Sequence, residues 1–277
     1  MPNLTFEIYG KTHVRLLQVL RHNGVHEVVE IDVTVLLEGN LADCYLTGNN
    51  SQVLPTDTMK NTVYALARQY PIETIEDFAS RLGRHFLNRL RHVSRVKISI
   101  TQTAWDRIGS HDSSFVQSSK ERRNAQLFVT PGAESITCGL RNLQILKTSR
   151  SAFVGFLKDE YTTLPETGDR LMGTVVDADW TLASGIQAHE FNQLHQDIRR
   201  VLLDCFSIHD SLSVQHTLYA MADAVLKEFD QVLDIHLTMP NKHCLVVDLS
   251  RFGLDNPNQI FVPTDEPSGY IEARVSR

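Results

Sequence analysis

The sequence predicts an α+β fold built from two similar units, each an antiparallel sheet that carries paired helices on one face. Stretches of β-branched and aliphatic residues joined by tight turns indicate antiparallel hairpins. Apolar residues at helical spacing predict two consecutive helices after the first hairpin. The order strand, strand, helix, helix, strand, strand then occurs a second time along the 277 residues. We therefore expect a first unit at residues 1–132 and a second at residues 133–277, divided near Pro131-Gly132.

The first unit is predicted to open with a hairpin. Residues 13–21 and 27–38 are rich in aliphatic and β-branched side chains, and His22-Asn23-Gly24 between them fits a tight turn. Thr56 is the predicted N-cap of the first helix, whose apolar face ends at Tyr70. A second helix with the face Ile75, Phe78, Ala79, Leu82, Phe86 and Leu90 leads to strands at residues 96–100 and 126–129, separated by a polar stretch at 109–124.

The second unit is predicted to follow the same order. Two strands are again followed by two helices with continuous apolar faces, and two further strands close the unit. The predicted strands lie near residues 135–148, 172–182, 232–238 and 243–250, and the helices run from Phe191 to Leu202 and from Val214 to Phe229.

Composition excludes several classes of protein. The chain is 42% hydrophobic and 22% charged with a net charge of -6, so it is globular and has no overall attraction to nucleic acid or anionic membranes. Its 4 cysteines include no close pair, which argues against a disulfide framework or a structural zinc site. No stretch approaches the ~20 apolar residues that span a bilayer. With no signal sequence and no C-terminal Ser-Lys-Leu, we expect a cytoplasmic protein without nucleic-acid or membrane partners.

Motifs for common cofactors are missing as well. Neither G-x-G-x-x-G nor G-x-x-x-x-G-K-[ST] occurs, so we expect no dinucleotide or nucleoside triphosphate. His189-Glu190 is followed by His195, whereas a helical zinc motif needs the second histidine four residues after the first, so we expect no metal there. The basic run from Arg81 to Lys97 is interpreted as a solvated helix end, with a phosphate-binding patch as the alternative.

Six short motifs spread over residues 9–250 carry a family resemblance. They are Tyr9-Gly10-Lys11, Thr56-Asp57-Thr58-Met59-Lys60-Asn61-Thr62, the segment from Phe153 to Leu164, Asp169-Arg170, Ser213-Val214-Gln215 and Pro240-Asn241-Lys242-His243. Because these motifs occur in the order and approximate spacing typical of that family, the sequence resembles the urate oxidase (uricase) family. It departs from the family at Asp112-Ser113-Ser114-Phe115, where a His-Ser-Phe stretch is common, and at Val154, where some relatives have an aromatic residue.

Several of these side chains suit a flat, anionic, oxygen-rich ring on chemical grounds alone. The planar guanidinium of Arg170 can donate two parallel hydrogen bonds, and Gln215 offers a donor and an acceptor to the edge of a purine. Val214 lies at a predicted helix start, where backbone N–H groups lack helical partners. Structural roles are the alternatives: a surface ion pair of Arg170 with Asp169, a helix cap at Thr56, a core position for Phe153 and a hydrogen-bonded strand position for His243.

The resemblance implies both an assembly and a reaction. The fold would be two tandem tunnelling-fold (T-fold) units, and four chains would form a barrel with a central tunnel and active sites at subunit interfaces. Urate, dioxygen and water would give 5-hydroxyisourate and hydrogen peroxide in purine degradation, with no cofactor. The implied catalytic residues are Lys11, Thr56 and His243, which relay protons, and the implied substrate-binding residues are Thr56, Asp57, Phe153, Arg170, Val214, Gln215 and Asn241.

Two other functions are compatible with the same fold. One is a T-fold protein that binds a pterin or another purine, with a different catalytic activity or none. Because enzymes of this kind generally anchor the ring with glutamate, Gln215 together with Arg170 favours urate. The other is a noncatalytic tetramer that binds purines, or nucleic acid through the basic run; Lys11, Thr56 and His243 argue against it.

Overall fold

Within residues 3–277, which the computed structural model describes, the chain forms ten β-strands and five α-helices. The first half contains β1 (Tyr9–His22), β2 (Val25–Gly39), α1 (Ala42–Leu46), α2 (Thr56–Gln69), α3 (Ile75–Arg89), β3 (Val93–Arg107) and β4 (Phe115–Thr130). The remainder contains β5 (Ala133–Lys147), β6 (Met172–Leu182), α4 (Glu190–Ile208), α5 (Val214–Glu228), β7 (Val232–Thr238), β8 (Asn241–Val246), β9 (Phe261–Gly269) and β10 (Glu272–Ser276).

The chain divides into two compact units, and the first of them includes a segment from later in the chain. The first unit contains the chain up to Gly139 together with Thr181–His195, and the second contains Leu140–Trp180 with Gln196–Arg277. Strand β5 therefore begins in the first unit and ends in the second.

The sheet of the first unit confirms the predicted antiparallel hairpins. Strands β1 to β4 pair in chain order, each antiparallel to the next. Positive φ angles at Asn23 and Gly24 make the tight turn between β1 and β2. Helix α2 packs against β1, and α3 packs against β3 and β4. Alternate residues of β2 (Ile31, Val33 and Val35) are buried on the face that carries the helices, as the alternating pattern predicts.

The second unit is organised in a similar way. Helix α5 packs against β7 and β10, which pair antiparallel, while β8 pairs antiparallel with both β6 and β9. Alternate residues of β6, among them Val176, Ala178 and Trp180, are buried. The α+β class with antiparallel pairing is therefore confirmed.

Several predicted boundaries were wrong. Strand β4 begins at Phe115, so most of the stretch at 109–124 is strand rather than loop. Residues 117–120 are exposed and polar, which removes the alternation that reveals a half-buried strand. Strand β8 ends at Val246 rather than at residue 250 and is followed by a 3₁₀ turn at Ser250–Phe252. Strands β9 and β10 and the short helix α1 were not predicted.

The predicted N-cap at Thr56 was also wrong. Thr56 is the first residue of α2, and Pro55 precedes it with φ -55° and ψ 137°. Proline supplies no side-chain acceptor, so α2 starts without a capping hydrogen bond. Helix α5 does have such a cap, because the hydroxyl of Ser213 accepts a hydrogen bond from the backbone N–H of His216 at 3.1 Å.

Arginines of the basic run are paired with carboxylates of their own helix or of neighbouring strands. Arg81 pairs with Asp77, the Nη2 of Arg84 lies 2.8 Å from Glu134, and Arg95 lies 3.6 Å from a carboxylate oxygen of Glu38. This pairing favours the structural interpretation of the run over a phosphate-binding patch. No helix within residues 3–277 is long and apolar enough to cross a membrane.

Candidate functional site

The second unit contains an open cleft of about 430 Å³. Four of the predicted site residues line it: Phe153, Arg170, Asn241 and His243. They come from two loop segments before β6 and from β8, so tertiary structure brings them together from positions up to 90 residues apart. These four side chains therefore face the same cleft.

Arg170 and Phe153 lie next to each other in the lining of this cleft. The guanidinium carbon of Arg170 lies 5.1 Å from the centroid of the Phe153 ring, which stacks on Phe156 at 4.9 Å. The Nε of Arg170 is buried and has no hydrogen-bond partner within the described part of the chain, and burial lowers the pKa of its guanidinium. A buried cationic donor without a partner, next to a partly exposed aromatic ring, suits a flat anion.

Backbone hydrogen bonds fix the segment that carries these two side chains. The backbone N–H of Arg170 donates to Ser151 O at 2.8 Å, and the N–H of Phe153 donates to Thr167 O at 2.8 Å. Asp169 accepts from the N–H of Ser151 at 3.1 Å, so its carboxylate orders the backbone instead of making the surface ion pair with Arg170 considered from the sequence. The two segments that flank the cleft are thereby held in register.

Ser151 and Ser211 connect this segment to the start of α5. They form an isolated bridge in which Ala152 N–H donates to Ser211 O at 2.8 Å and Ser211 N–H donates to Arg150 O at 3.0 Å. Both serines are buried. Sequence reasoning missed them because single serines carry no pattern, although they order the approach to the helix.

The start of α5 presents Val214 and Gln215. Val214 is buried and Gln215 is exposed, and neither lines the cleft itself. Backbone N–H groups in the first turn of a helix have no helical acceptor and favour an anion. Ser211 lies only a few residues before this turn. Its bridge to Ser151 connects the start of α5 to the segment that carries Arg170.

Asn241 and His243 are held by the pairing of β8. Asn241 lies opposite Thr174 of β6 and Gly269 of β9, and His243 lies opposite Thr264, whose hydroxyl donates to His243 O at 3.2 Å. Both side chains are partly buried along the wall of the cleft. An amide and an imidazole on one strand can bind a polar small molecule and transfer a proton.

Lys11, Thr56 and Asp57 belong to the first unit. The carboxylate of Asp57 accepts hydrogen bonds from Lys60 and from Asn61, the latter at 3.0 Å. The hydrogen bond and charge of Lys60 lower the pKa of Asp57, and the positive charge of Lys11 adds to this. Lys11 therefore lies near Asp57 at the start of α2, and the three predicted residues form one group. The other six predicted residues belong to the second unit.

Histidines near the start of α5 predict acid sensitivity. Burial lowers the pKa of His209, and the neighbouring His216 and Lys147 lower it further against the opposing effect of Asp210, while Arg150 adds a smaller lowering effect. The unfolded chain therefore binds a proton near pH 6.5, where the folded protein still resists it. The contribution of neutral His209 to the free energy of unfolding is fully present above that pH, and it falls as the pH drops toward the pKa of His209 in the folded protein.

We expect His209→Gln to lose less thermal stability than the unsubstituted protein when the pH is lowered from 7.5 to 5.5. Melting temperatures at the two pH values measure this difference. His22→Gln, at the exposed hairpin turn, is the control and should keep the original pH dependence. Equal acid sensitivity of His209→Gln and the unsubstituted protein would contradict the assignment.

Among the described residues there is no cluster of three or more His, Cys, Asp or Glu side chains suited to a metal ion. Glu190 and His195, considered above as parts of an incomplete zinc motif, both lie on α4.

The chain is similar to known uricases over nearly its whole length. A family model described as uricase matches residues 7–127 and 136–272. The chain is 39% identical over 269 residues to uricase of Arthrobacter globiformis, covering 97% of this chain and 88% of that protein. It is 36% identical over 284 residues to uricase of Dictyostelium discoideum, covering 100% and 98%.

A solved structure gives the same result for the fold. The crystal structure of uricase from Arthrobacter globiformis superimposes with a TM-score of 0.96 at 39% identity, covering 100% of this chain and 96% of that chain. The family model and these relatives extend over nearly the whole sequence, including both groups of site residues. The chain belongs to the uricase family.

Proposed function

We propose that the protein is a urate oxidase that converts urate, dioxygen and water to 5-hydroxyisourate and hydrogen peroxide without a cofactor. The observation that carries this proposal is the buried, unpartnered Nε of Arg170 beside the Phe153 ring, in a chain of the uricase family. The anion of urate would offset the cost of burying that guanidinium, and its ring is as flat as the phenyl ring it would stack on.

Binding of urate uses groups from two neighbouring chains. Arg170 and Gln215 hold the oxygens and the ring edge, and Phe153 stacks on the ring. The backbone N–H groups at Thr56-Asp57 and at Val214 lie at the starts of α2 and α5, where the helix dipole also favours negative charge. Together they fix one orientation of the ring against the proton-transfer groups.

Catalysis begins with proton removal. Lys11, Thr56 and His243 form a relay in which the hydroxyl passes protons between the two basic groups, and Lys11 takes the second proton from urate. The resulting electron-rich dianion gives two electrons to dioxygen beside Asn241. Dioxygen takes up two protons and leaves as hydrogen peroxide, and water adds at C5 of the oxidised ring to form 5-hydroxyisourate.

The assembly proposed is a tetramer of tandem T-fold units, at residues 1–132 and 133–277, that encloses a central tunnel. Strand β1 lies at one end of the sheet order and pairs on one side only, which leaves 14 residues of strand edge available to another chain. Leu157 and Tyr161 are 94% and 82% exposed beside the segment that carries Phe153, as expected of an interface. The active site then combines Lys11, Thr56 and Asp57 of one chain with the other six residues of its neighbour.

Oxygen uptake by purified, EDTA-treated protein with urate tests the function, together with a peroxide assay and a check for bound flavin. We expect about one peroxide released per oxygen consumed, without flavin or added metal. Absence of uptake by folded protein would contradict the proposal. Urate binding without uptake would instead indicate a noncatalytic purine-binding relative.

Subunit exchange tests the shared site. Lys11→Ala and Arg170→Ala proteins should each be nearly inactive, whereas mixed tetramers should regain part of the activity because some interfaces then contain two intact halves. Verified mixed tetramers without any recovered activity would argue that each site is built within one chain.

Arg170→Lys is expected to raise the KM for urate roughly tenfold to a hundredfold, because lysine keeps the charge but loses the planar pair of donors. Initial rates of oxygen uptake over a range of urate concentrations measure the change. Arg150→Lys is the control, since Arg150 makes an exposed ion pair with Asp210 and should leave KM almost unchanged. A similar KM for both variants would show that the fork of Arg170 does not bind urate.

A further inference from the structure

An irregularity in β1 directly follows Lys11. Lys11 lies opposite Val35 of β2, and the next regular pair is Val14 opposite Val33. Two residues of β1, Thr12 and His13, therefore face the single residue between the two valines on β2. This two-to-one count is a β-bulge.

The bulge decides which face of the sheet Lys11 occupies. Val33 and Val35 are fully buried on the face that carries the helices, and residues directly opposite each other in a ladder share a face. Lys11 and Val14 are three positions apart, so in a regular strand their side chains would lie on opposite faces. The extra residue puts both on the helix-bearing face, Val14 in the core and Lys11 toward the start of α2.

The environment of Asp57 supports this placement. Asp57 is the second residue of α2, and the charge of Lys11 contributes to lowering the pKa of its carboxyl group. Gly10, just before Lys11, allows close contact with β2, because a Cβ there would lie 1.9 Å from Val35 O. Lys11 therefore lies between the close backbone contact at Gly10 and the bulge at Thr12 and His13.

His13 holds the bulge in place. Its φ of 55° lies in the left-handed region, which is uncommon for residues other than glycine. Its Nδ1 lies 3.1 Å from Oδ2 of Asp32 on β2, and the Nε of Arg15 donates to the same oxygen at 3.3 Å. These contacts lie on the face opposite the core and fasten the bulge to the neighbouring strand.

We propose that His13 is a positioning residue for Lys11: its left-handed backbone forms the bulge that directs Lys11 to the start of α2. The inference rests on the proposed function, in which Lys11 removes a proton from urate. His13 acts through the backbone and does not contact the substrate.

Backbone conformation gives a graded test. His13→Gly accepts a positive φ without strain, His13→Ala accepts it less readily, and the β-branched side chain of His13→Val opposes it. We expect kcat to follow the order glycine, alanine, valine, with valine losing roughly tenfold to a hundredfold, because a displacement of about 1 Å costs that much in a proton-transfer geometry. The KM for urate should change less than twofold, since Arg170 and Gln215 are untouched.

Asn142 provides a matched control. It has a φ of 60°, its backbone N–H donates to Asp177 at 2.7 Å, and it lies on β5, which carries none of the nine candidate site residues. Asn142→Val should therefore lose thermal stability as His13→Val does. Its kcat per folded protein and the pH profile of kcat should stay as in the unsubstituted protein, whereas both should change in His13→Val.

The outcomes separate this inference from the function on which it rests. Unsubstituted protein that consumes no oxygen with urate contradicts the function itself. Active unsubstituted protein together with a folded His13→Val of unchanged kcat and pH profile overturns only the role of His13. Equal losses in the glycine and valine variants overturn it too, since they would assign the effect to the imidazole ring. If His13→Val does not fold, His13→Ala compared with His13→Gly decides by the same criteria.

Discussion

Replacing Lys11 with methionine is expected to lower kcat for urate oxidation roughly 10²- to 10⁴-fold, the range that a positioned proton-transfer group contributes. Methionine keeps the length of the side chain but cannot accept a proton. Because the urate-binding groups Arg170, Gln215 and Phe153 remain, urate should still bind. Steady-state oxygen uptake measures kcat, and urate binding under nitrogen measures affinity separately from turnover.

Lys60→Met is the matched control for this prediction. Lys60 belongs to the same unit, carries the same charge and hydrogen-bonds to Asp57, but no role in proton transfer is assigned to it. We expect its kcat to stay within a few-fold of the original. If both substitutions reduced kcat equally, the effect would be one of local charge, and the role of Lys11 as the base would be wrong.

Arg123→Met is expected to reduce the free energy of unfolding by about 3–5 kcal/mol, the usual cost of leaving a buried charge without its partner. The carboxylate of Glu76 is 1% exposed, and Arg123 approaches it with two nitrogens, at 3.2 Å and 2.7 Å. Methionine would fill much of the space and leave that carboxylate buried and unpaired. Thermal unfolding at fixed protein concentration should show a fall of roughly 6–20 °C in Tm.

Two further variants identify the cause of that loss. Arg122→Met removes a neighbouring arginine that donates to the carbonyls of Ser119 and Glu121, and it should cost only about 1 kcal/mol. The double variant Arg123→Met with Glu76→Leu removes both charges and should recover much of the stability. A double variant as unstable as Arg123→Met alone would mean that packing, not the unpaired charge, is responsible.

Periodic patterns predicted the fold where each element has one buried and one exposed face. The hairpin of β1 and β2 and the helices α2, α3 and α5 have that property, so their positions followed from spacing alone. Residues 117–120 of β4 are exposed and polar, so no alternation marks this part of the chain as a strand. Its conformation depends on pairing with β3 in the folded chain.

The site was predictable to the extent that motifs identify its residues. The family motifs include all nine candidates, but they contain nothing about the buried link between Ser151 and Ser211 or the bonding of Asp169 to the backbone. The bulge at His13 was equally hidden, because only a small minority of histidines adopt a positive φ. Such features depend on which strands become neighbours, and a linear spacing does not encode that.

The late segment of the first unit, Thr181–His195, has a consequence for synthesis on the ribosome. The side chain of Asn192 accepts from Arg123 at 2.6 Å and donates to Glu73 O at 3.1 Å, so it anchors the arginine that neutralises Glu76. Arg123 and Asn192 are 69 residues apart, and translation at about 5–20 residues per second takes roughly 3–14 s to cover that interval. The nascent first unit therefore stays without this anchor for seconds, and it is completed only after β5 and β6 have been synthesised.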